Sequence, residues 1–228
     1  MRFLFPAILM LVSTTLYGQT EQPPEISAEG HGEVSVTPDE ATVIISVETR
    51  SATATEAAEE NARRVRAVLD ALEDMGLGGD DVVTSGYTVA PDWKRDREEN
   101  RELIGYMARN TVRVRLDEMD QIGRVIDASL GAGANRIESV RFDVSDTEEP
   151  TREALAAAVE QAQSLGLAMA EAAGGGLGSL IELRMQEVLP SRAYRTEMIA
   201  QQATTPIMPG EVTVTATVRA RWVFRQGN

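Results

Sequence analysis

Two segments of this chain alternate apolar and polar side chains over a dozen residues, and they restrict the folds open to it. From Ile104 through Tyr106, Ala108, Asn110, Val112 and Val114 to Leu116, one set of positions is mostly apolar, and Gly105, Met107, Arg109, Thr111, Arg113 and Arg115 fall between them. Near the C-terminus Val212, Val214, Ala216, Val218, Ala220, Trp222 and Phe224 repeat the pattern against Thr213, Thr215, Thr217, Arg219, Arg221 and Arg225. A period of two belongs to a strand with one face in a core and the other in water. Strands of a parallel sheet covered by helices on both sides are apolar throughout, so this chain is expected to be α+β, with long strands in a mostly antiparallel sheet.

The remaining elements follow from local signals. Ile26–Val36 and Ala41–Val47 read as strands separated by a turn at Pro38-Asp39. Thr53 and Glu56 form a capping box for a helix with Ala58, Ala62, Val65, Leu69, Leu72 and Met75 on one face, closed by Gly76, Gly78 and Gly79. Val82–Pro91 reads as a strand that pairs in a hairpin with the first alternating segment, across an exposed, charge-dense loop at Asp92–Glu102. A second helix is expected over Met119–Leu130, with Ile122, Val125, Ile126 and Leu130 inward and a glycine-rich end at Gly131–Ala134. A strand around Val140, Phe142 and Val144 precedes a third helix, capped by Asp146 or Glu149, whose expected stripe is Leu155, Val159, Ala162, Leu165, Met169 and Ala172. Ser179–Gln186 is a further strand, and aperiodic Leu189–Pro209 is a long loop. The order is ββα, ββ, α, β, α, ββ, with about three helices packed on one face of the sheet.

Residues 1–18 have the shape of a signal peptide: Arg2, an apolar run from Phe3 to Val12, then a polar fade to Gly18. The run is shorter than the roughly 20 apolar residues of a membrane span, so removal rather than stable membrane insertion is expected. Residues 19–25 read as a linker and 26–225 as the folded domain. The chain is thus expected to be periplasmic or otherwise exported. It contains no cysteine, which excludes disulfides, thiolate metal sites and cysteine nucleophiles. Its formal charge is −14, and loss of Arg2 with the leader leaves 21 basic against 36 acidic residues. Nucleic acid is a poor partner for such a chain, because affinity for phosphate backbones comes from Lys and Arg.

Several strings in this order resemble one known family. They are Ile26-Ser27-Ala28-Glu29-Gly30-His31-Gly32-Glu33-Val34, Pro38-Asp39-Glu40-Ala41-Thr42-Val43, Gly105-Tyr106 with Asn110-Thr111-Val112, and Gly131-Ala132-Gly133-Ala134-Asn135-Arg136-Ile137. The chain resembles the SIMPL-domain family of exported bacterial proteins, often called periplasmic immunogenic or oxidative-stress defence proteins. The resemblance implies a location in the cell envelope, a fold, and a part in stress defence. It supplies no catalytic residues.

The residues themselves offer few sites. His31, the one histidine, sits between two glycines in a predicted strand and reads as a strand-edge or packing residue. Gly174-Gly175-Gly176-Leu177-Gly178 follows a helix and lacks the Lys-Ser/Thr pair of a phosphate loop, so it reads as a cap and turn. Asp143, Asp146, Glu148 and Glu149 lack the pattern of an EF-hand and read as acids favoured at a helix N-terminus. Trp93 and Tyr87 near the charged loop, with Tyr194, Met198 and Met208 in the long one, offer scattered partner anchors. Arg109, Arg113 and Arg115 share one strand face and Arg219, Arg221 and Arg225 another. If those strands pair, the six form a cationic stripe that holds an anionic ligand, meets acids of a second subunit, or is neutralised by the protein's own carboxylates. The reading is a non-enzyme without cofactor or metal, acting through contacts with an envelope protein or through homo-oligomerisation. The alternatives are a binding module for an anionic small molecule or glycan on the arginine-lined face, and a hydrolase built on His31.

Overall fold

The computed structural model describes residues 23–95, 101–191, 205 and 207–227. The proposed leader, residues 192–204 of the long loop with Tyr194 and Met198, and residues 96–100 of the charged loop lie outside them. The elements are β1 (Glu25–Val36), β2 (Glu40–Ser51), α1 (Ala54–Glu73), β3 (Val82–Arg95), β4 (Arg101–Leu116), α2 (Gln121–Ala132), β5 (Arg136–Asp143), α3 (Glu148–Ala172), β6 (Gly175–Ser191) and β7 (Val212–Gln226), with one 3₁₀ turn at Gly79–Asp81. The expected order and the α+β class hold. Three local expectations change: Asp92–Arg95 and Arg101–Glu102 extend the β3–β4 hairpin, Gly175 onward belongs to β6, and Leu189–Ser191 ends that strand.

The strands form two antiparallel sheets rather than one. The first has the order β3-β4-β2-β5 and the second β1-β7-β6. Each has helices on one face. α1 and α2 cover the first sheet, burying Val43, Ile45 and Val47 of β2, Val112 and Val114 of β4, Val65, Val68 and Leu72 of α1, and Ile122 and Val125 of α2 in one core. Burial of these apolar side chains supplies the main driving force for this half. Thr53 caps α1 as its sequence requires, its hydroxyl accepting from the Glu56 N–H at 3.2 Å. Buried Asn61 ties the helix to the sheet by donating to the carbonyls of Val47 and Ala108. The buried face of α1 is Ala57, Asn61, Val65, Val68 and Leu72, which keeps Val65 and Leu72 of the expected stripe, leaves Leu69 and Met75 partly buried, and replaces Ala58 and Ala62 by their preceding neighbours.

α3 covers the second sheet. Its buried residues are Ala154, Ala158, Ala162, Gly166 and Ala170, a row of small side chains at every fourth position. Opposite them stand Gly30 and Gly32 of β1. A Cβ on Gly30 would lie 2.0 Å from the Ala158 carbonyl oxygen, and one on Gly32 would lie 1.9 Å from that of Ala154. Helix and strand backbones are therefore in direct contact. Farther along, Gly166 leaves room for the ring of Trp222, which a Cβ would meet at 3.0 Å. This packing corrects the expected stripe of α3: Ala162 is buried and Leu155 and Val159 are partly so, but Leu165, Met169 and Ala172 point outward. Leucine is the better core residue only where there is room for it. The close approach at Gly30 and Gly32 admits alanine alone.

The two halves meet where the chain crosses between sheets, at the β1–β2 turn and the β5–α3 link. Asp39 laces these connections. Its N–H donates to the Asp143 carbonyl at 3.2 Å, and its carboxylate accepts from the Ser145 N–H at 2.7 Å and the Ser145 hydroxyl at 2.6 Å. The Ser145 hydroxyl, then its N–H, hold the Asp39 carboxyl below the usual carboxylate range. From the β6–β7 connection, Ile207 packs on the first core and Thr205 donates to Asp127 of α2.

Gly32→Ala places a methyl group inside the Ala154 carbonyl contact. We expect it to cost about 3 kcal/mol or more, at or above the usual penalty of overpacking. Denaturant unfolding of the purified variant measures this, and a loss within about 0.5 kcal/mol, as at an ordinary surface site, would contradict the contact.

Candidate functional site

The polar faces of the two sheets carry the arginines singled out in the sequence. They do not form one stripe. β4, with Arg109, Arg113 and Arg115, lies in the first sheet between β3 and β2, whereas β7, with Arg219, Arg221 and Arg225, lies in the second between β1 and β6. The pairing on which the stripe depended is absent because β7 closes the chain against β1, from Glu25 opposite Val223 to Val36 opposite Val212.

Most of the six are neutralised by carboxylates of the chain itself. On the second sheet Arg219 pairs with Glu29 at 3.0 Å, and Arg221 with Glu25 at 3.2 Å and Glu182 at 3.0 Å. On the first, Arg115 donates twice to Asp81, at 2.9 and 3.1 Å, a contact that raises the guanidinium pKa and keeps it charged. Arg109 pairs with Glu48. Among the described residues Arg113 and Arg225 make no ion pair.

Glu48 is the centre of a cluster that sequence reasoning missed. It stands on the middle strand β2 with its side chain 8% exposed, and Arg109, Arg136 at 3.2 Å and Arg50 at 3.7 Å surround it. The contacts to Oε1 are electrostatic, since none has hydrogen-bond geometry. Arg50 continues to Asp92 at 2.9 Å, and Arg136 to Glu138 at 3.6 Å. A charge at this depth is tolerable only when paired, so the cluster reads first as structure. Its backbone is held as firmly. The β2–β5 ladder ends at Ser46 opposite Arg136, and the Asn135 side chain adds one rung: its Oδ1 accepts from the Glu48 N–H at 2.9 Å and its Nδ2 donates to the Glu48 carbonyl at 2.8 Å. Gly133, in the left-handed region at φ 120°, ends α2 and directs the chain into this position.

The other candidates are placed as follows. His31 lies on β1 with its ring exposed, Nδ1 3.1 Å from the Thr217 hydroxyl and Nε2 3.8 Å from Glu29. Its backbone N–H donates to the Gln161 side chain of α3 at 2.6 Å, so the helix satisfies a donor on the outer edge of β1. No described serine stands in hydrogen-bond contact with the ring. The Asp143–Glu149 acids form no metal-binding group among the described residues; Asp146 accepts from the Glu148 N–H at 2.8 Å at the start of α3. Gly174, at φ 78°, ends that helix.

Large exposed apolar side chains gather in two places, and two others stand apart: Met208, and Leu130 of α2, which was expected inward but lies at the exposed end of its helix. β6 presents Leu180, Ile181, Leu183 and Met185, beside Leu165, Leu167 and Met169 of α3 in the same half. The β3–β4 hairpin presents Tyr87, Val89, Trp93, Leu103 and Ile104. Tyr87, Trp93 and Met208 were singled out in the sequence as partner anchors, whereas Leu165 and Met169 were expected inward. The register sets Leu180, Leu183 and Met185 opposite buried Trp222, Ala220 and Val218, on the α3 side of the sheet, and its shifts break the alternation that would have marked them in the sequence.

A family model, SIMPL, described as a protein of unknown function (DUF541), matches residues 26–222. Among curated relatives, the 26 kDa periplasmic immunogenic protein of Brucella melitensis is 29% identical over 168 residues, which is 72% of this chain and 67% of that protein. The protein YggE of Escherichia coli K12, described as uncharacterized, is 30% identical over 159 residues, 68% of this chain and 64% of that protein. YggE of Edwardsiella ictaluri is 26% identical over 166 residues, 73% and 70% of the two lengths.

Asn135→Ala removes both hydrogen bonds to the Glu48 backbone. The expected loss is about 1–3 kcal/mol, the cost of leaving a partly buried donor and acceptor unpaired. A chemical-denaturation midpoint indistinguishable from that of the unaltered protein would show that the amide clasp contributes nothing.

Proposed function

Because this chain belongs to the SIMPL family, we propose that it serves in the cell envelope as a non-enzymatic protein that works through protein contacts, self-assembly foremost, and takes part in stress defence. The observation that carries the contact reading is β6. It is a 17-residue strand at the edge of its sheet, and it exposes Leu180, Ile181, Leu183 and Met185 by 41–63%. A long edge offers unpaired backbone donors and acceptors to another chain, and contiguous apolar surface mark sites of association.

Export is supported by the signal-like leader and by the periplasmic name of the Brucella relatives. No helix among the described residues is long and apolar enough to cross a membrane. The non-enzymatic reading rests on the neutralised arginines and the isolated His31. The stress-defence part rests on the family resemblance.

Size-exclusion chromatography with light scattering on the mature chain, begun near Gln19, tests the proposal. We expect a defined multiple of the monomer mass, reduced to the monomer by Leu183→Glu with Met185→Glu. A monomer at every concentration, or an assembly indifferent to both substitutions, would overturn self-assembly through β6.

A further inference from the structure

The outer face of the first sheet holds a second cluster of arginines, at the end away from Glu48. Along β2 the side chains opposite the core are Thr42, Ile44, Ser46 and Glu48, alternating with buried Ala41, Val43, Ile45 and Val47. Thr42 stands between Arg115 of β4 and Arg141 of β5, and Ile44 between Arg113 and Ser139. Three arginines thus flank Thr42, Ile44 and Ser139 on this face.

Their states differ. Arg115 is held by Asp81 and, at 4.0 Å, by Glu40. Arg113 and Arg141 are exposed and make no ion pair among the described residues. Across the whole face six arginines, at positions 50, 109, 113, 115, 136 and 141, stand with six carboxylates, those of Glu40, Glu48, Asp81, Asp92, Glu138 and Asp143. Arg113 and Arg141 are thus the two guanidinium groups of this face that no described carboxylate pairs, in a chain whose formal charge is −14.

Arg113 and Arg141 are two strands and two residues apart, roughly 12 Å between Cα atoms from the usual sheet spacing and rise. Two arginine side chains can close over that distance from opposite sides, and the Thr42 and Ser139 hydroxyls between them are further donors. A planar guanidinium presents paired donors that match the oxygens of a phosphoryl group. We propose that this patch binds a phosphate monoester dianion, with Arg113 and Arg141 as its two clamps. The site is separate from the apolar β6 surface, and neither proposal requires the other.

The probe is inorganic phosphate, titrated into the mature chain at low ionic strength by isothermal calorimetry. We expect one saturable anion per chain, weakened about tenfold or more in Arg113→Gln/Arg141→Gln, as loss of charge-assisted bidentate bonds requires. Arg225→Gln, which removes an equally unpaired arginine from the other sheet, should leave the affinity within about twofold, since its charge is distant and screened. Thermal unfolding of both variants shows that they remain folded. Absence of saturation, equal affinity in the double variant, or an equal loss in Arg225→Gln would overturn the site. Co-sedimentation with phosphatidate vesicles, abolished by the same double variant, would assign the monoester to a lipid headgroup; phosphate binding without vesicle capture would assign it to a soluble ligand.

Discussion

A methyl group at Gly30 or Gly32 would occupy the same space as the backbone of α3, and from that contact much of the second half of the molecule follows. A helix this close to a strand must show it only small side chains, which sets the row Ala154, Ala158, Ala162, Gly166 and Ala170. Once that row faces inward, Leu165, Leu167 and Met169 face outward. The position of α3 also brings Gln161 to the outer edge of β1, where it accepts the His31 N–H and satisfies one donor of that edge. The exposure of the α3 leucines is thereby a consequence of two glycines far from them in sequence.

The larger half is organised differently. Its core is built of Val, Ile and Leu from β2, β4, α1 and α2, and polar groups rather than small ones fix its details. Asn61 aligns α1 on the sheet, and Asn135 completes the β2 ladder at Glu48. The outer faces of both sheets carry arginines that are mostly neutralised, and the smaller half adds exposed apolar side chains on its edge strand β6.

Much of the fold was legible. The alternation of β4 from Ala108 to Leu116 and of β7 from Val212 to Trp222 matched the inward faces, since side chains on a strand have only two directions to point, whereas Ile104 at the far end of β4 is exposed. Thr53 with Glu56 marked the start of α1 because capping is local chemistry. Two things were hidden for physical reasons. The inward face of α3 was misread because a hydrophobic scale favours Leu165 and Met169, while available volume, known only once Gly30 and Gly32 are placed beneath the helix, favours alanine and glycine. The division into two sheets was hidden because alternation does not identify a strand's neighbour. The candidate site suffered similarly. Arg109, Arg113 and Arg115 were visible as a group, but the carboxylate partners of Arg109 and Arg115 and the Glu48–Asn135 clasp, 87 residues apart in sequence, depend on strand register. Arg50, Arg136 and Arg141 were missed with them, although Glu48 and Arg50 are unusual charges within an otherwise apolar and β-branched segment.

The central claim is that backbone contact at Gly30 and Gly32 turns the alanine row of α3 inward and its leucines outward. The absence of cysteine from the chain makes a direct test available: single cysteines introduced by Ala158→Cys and Leu165→Cys, followed by the rate of thiol labelling in dilute native protein. The account predicts that the thiol at 165 labels rapidly while the one at 158 labels only when the protein unfolds. Labelling at 158 as fast as at 165 would contradict it.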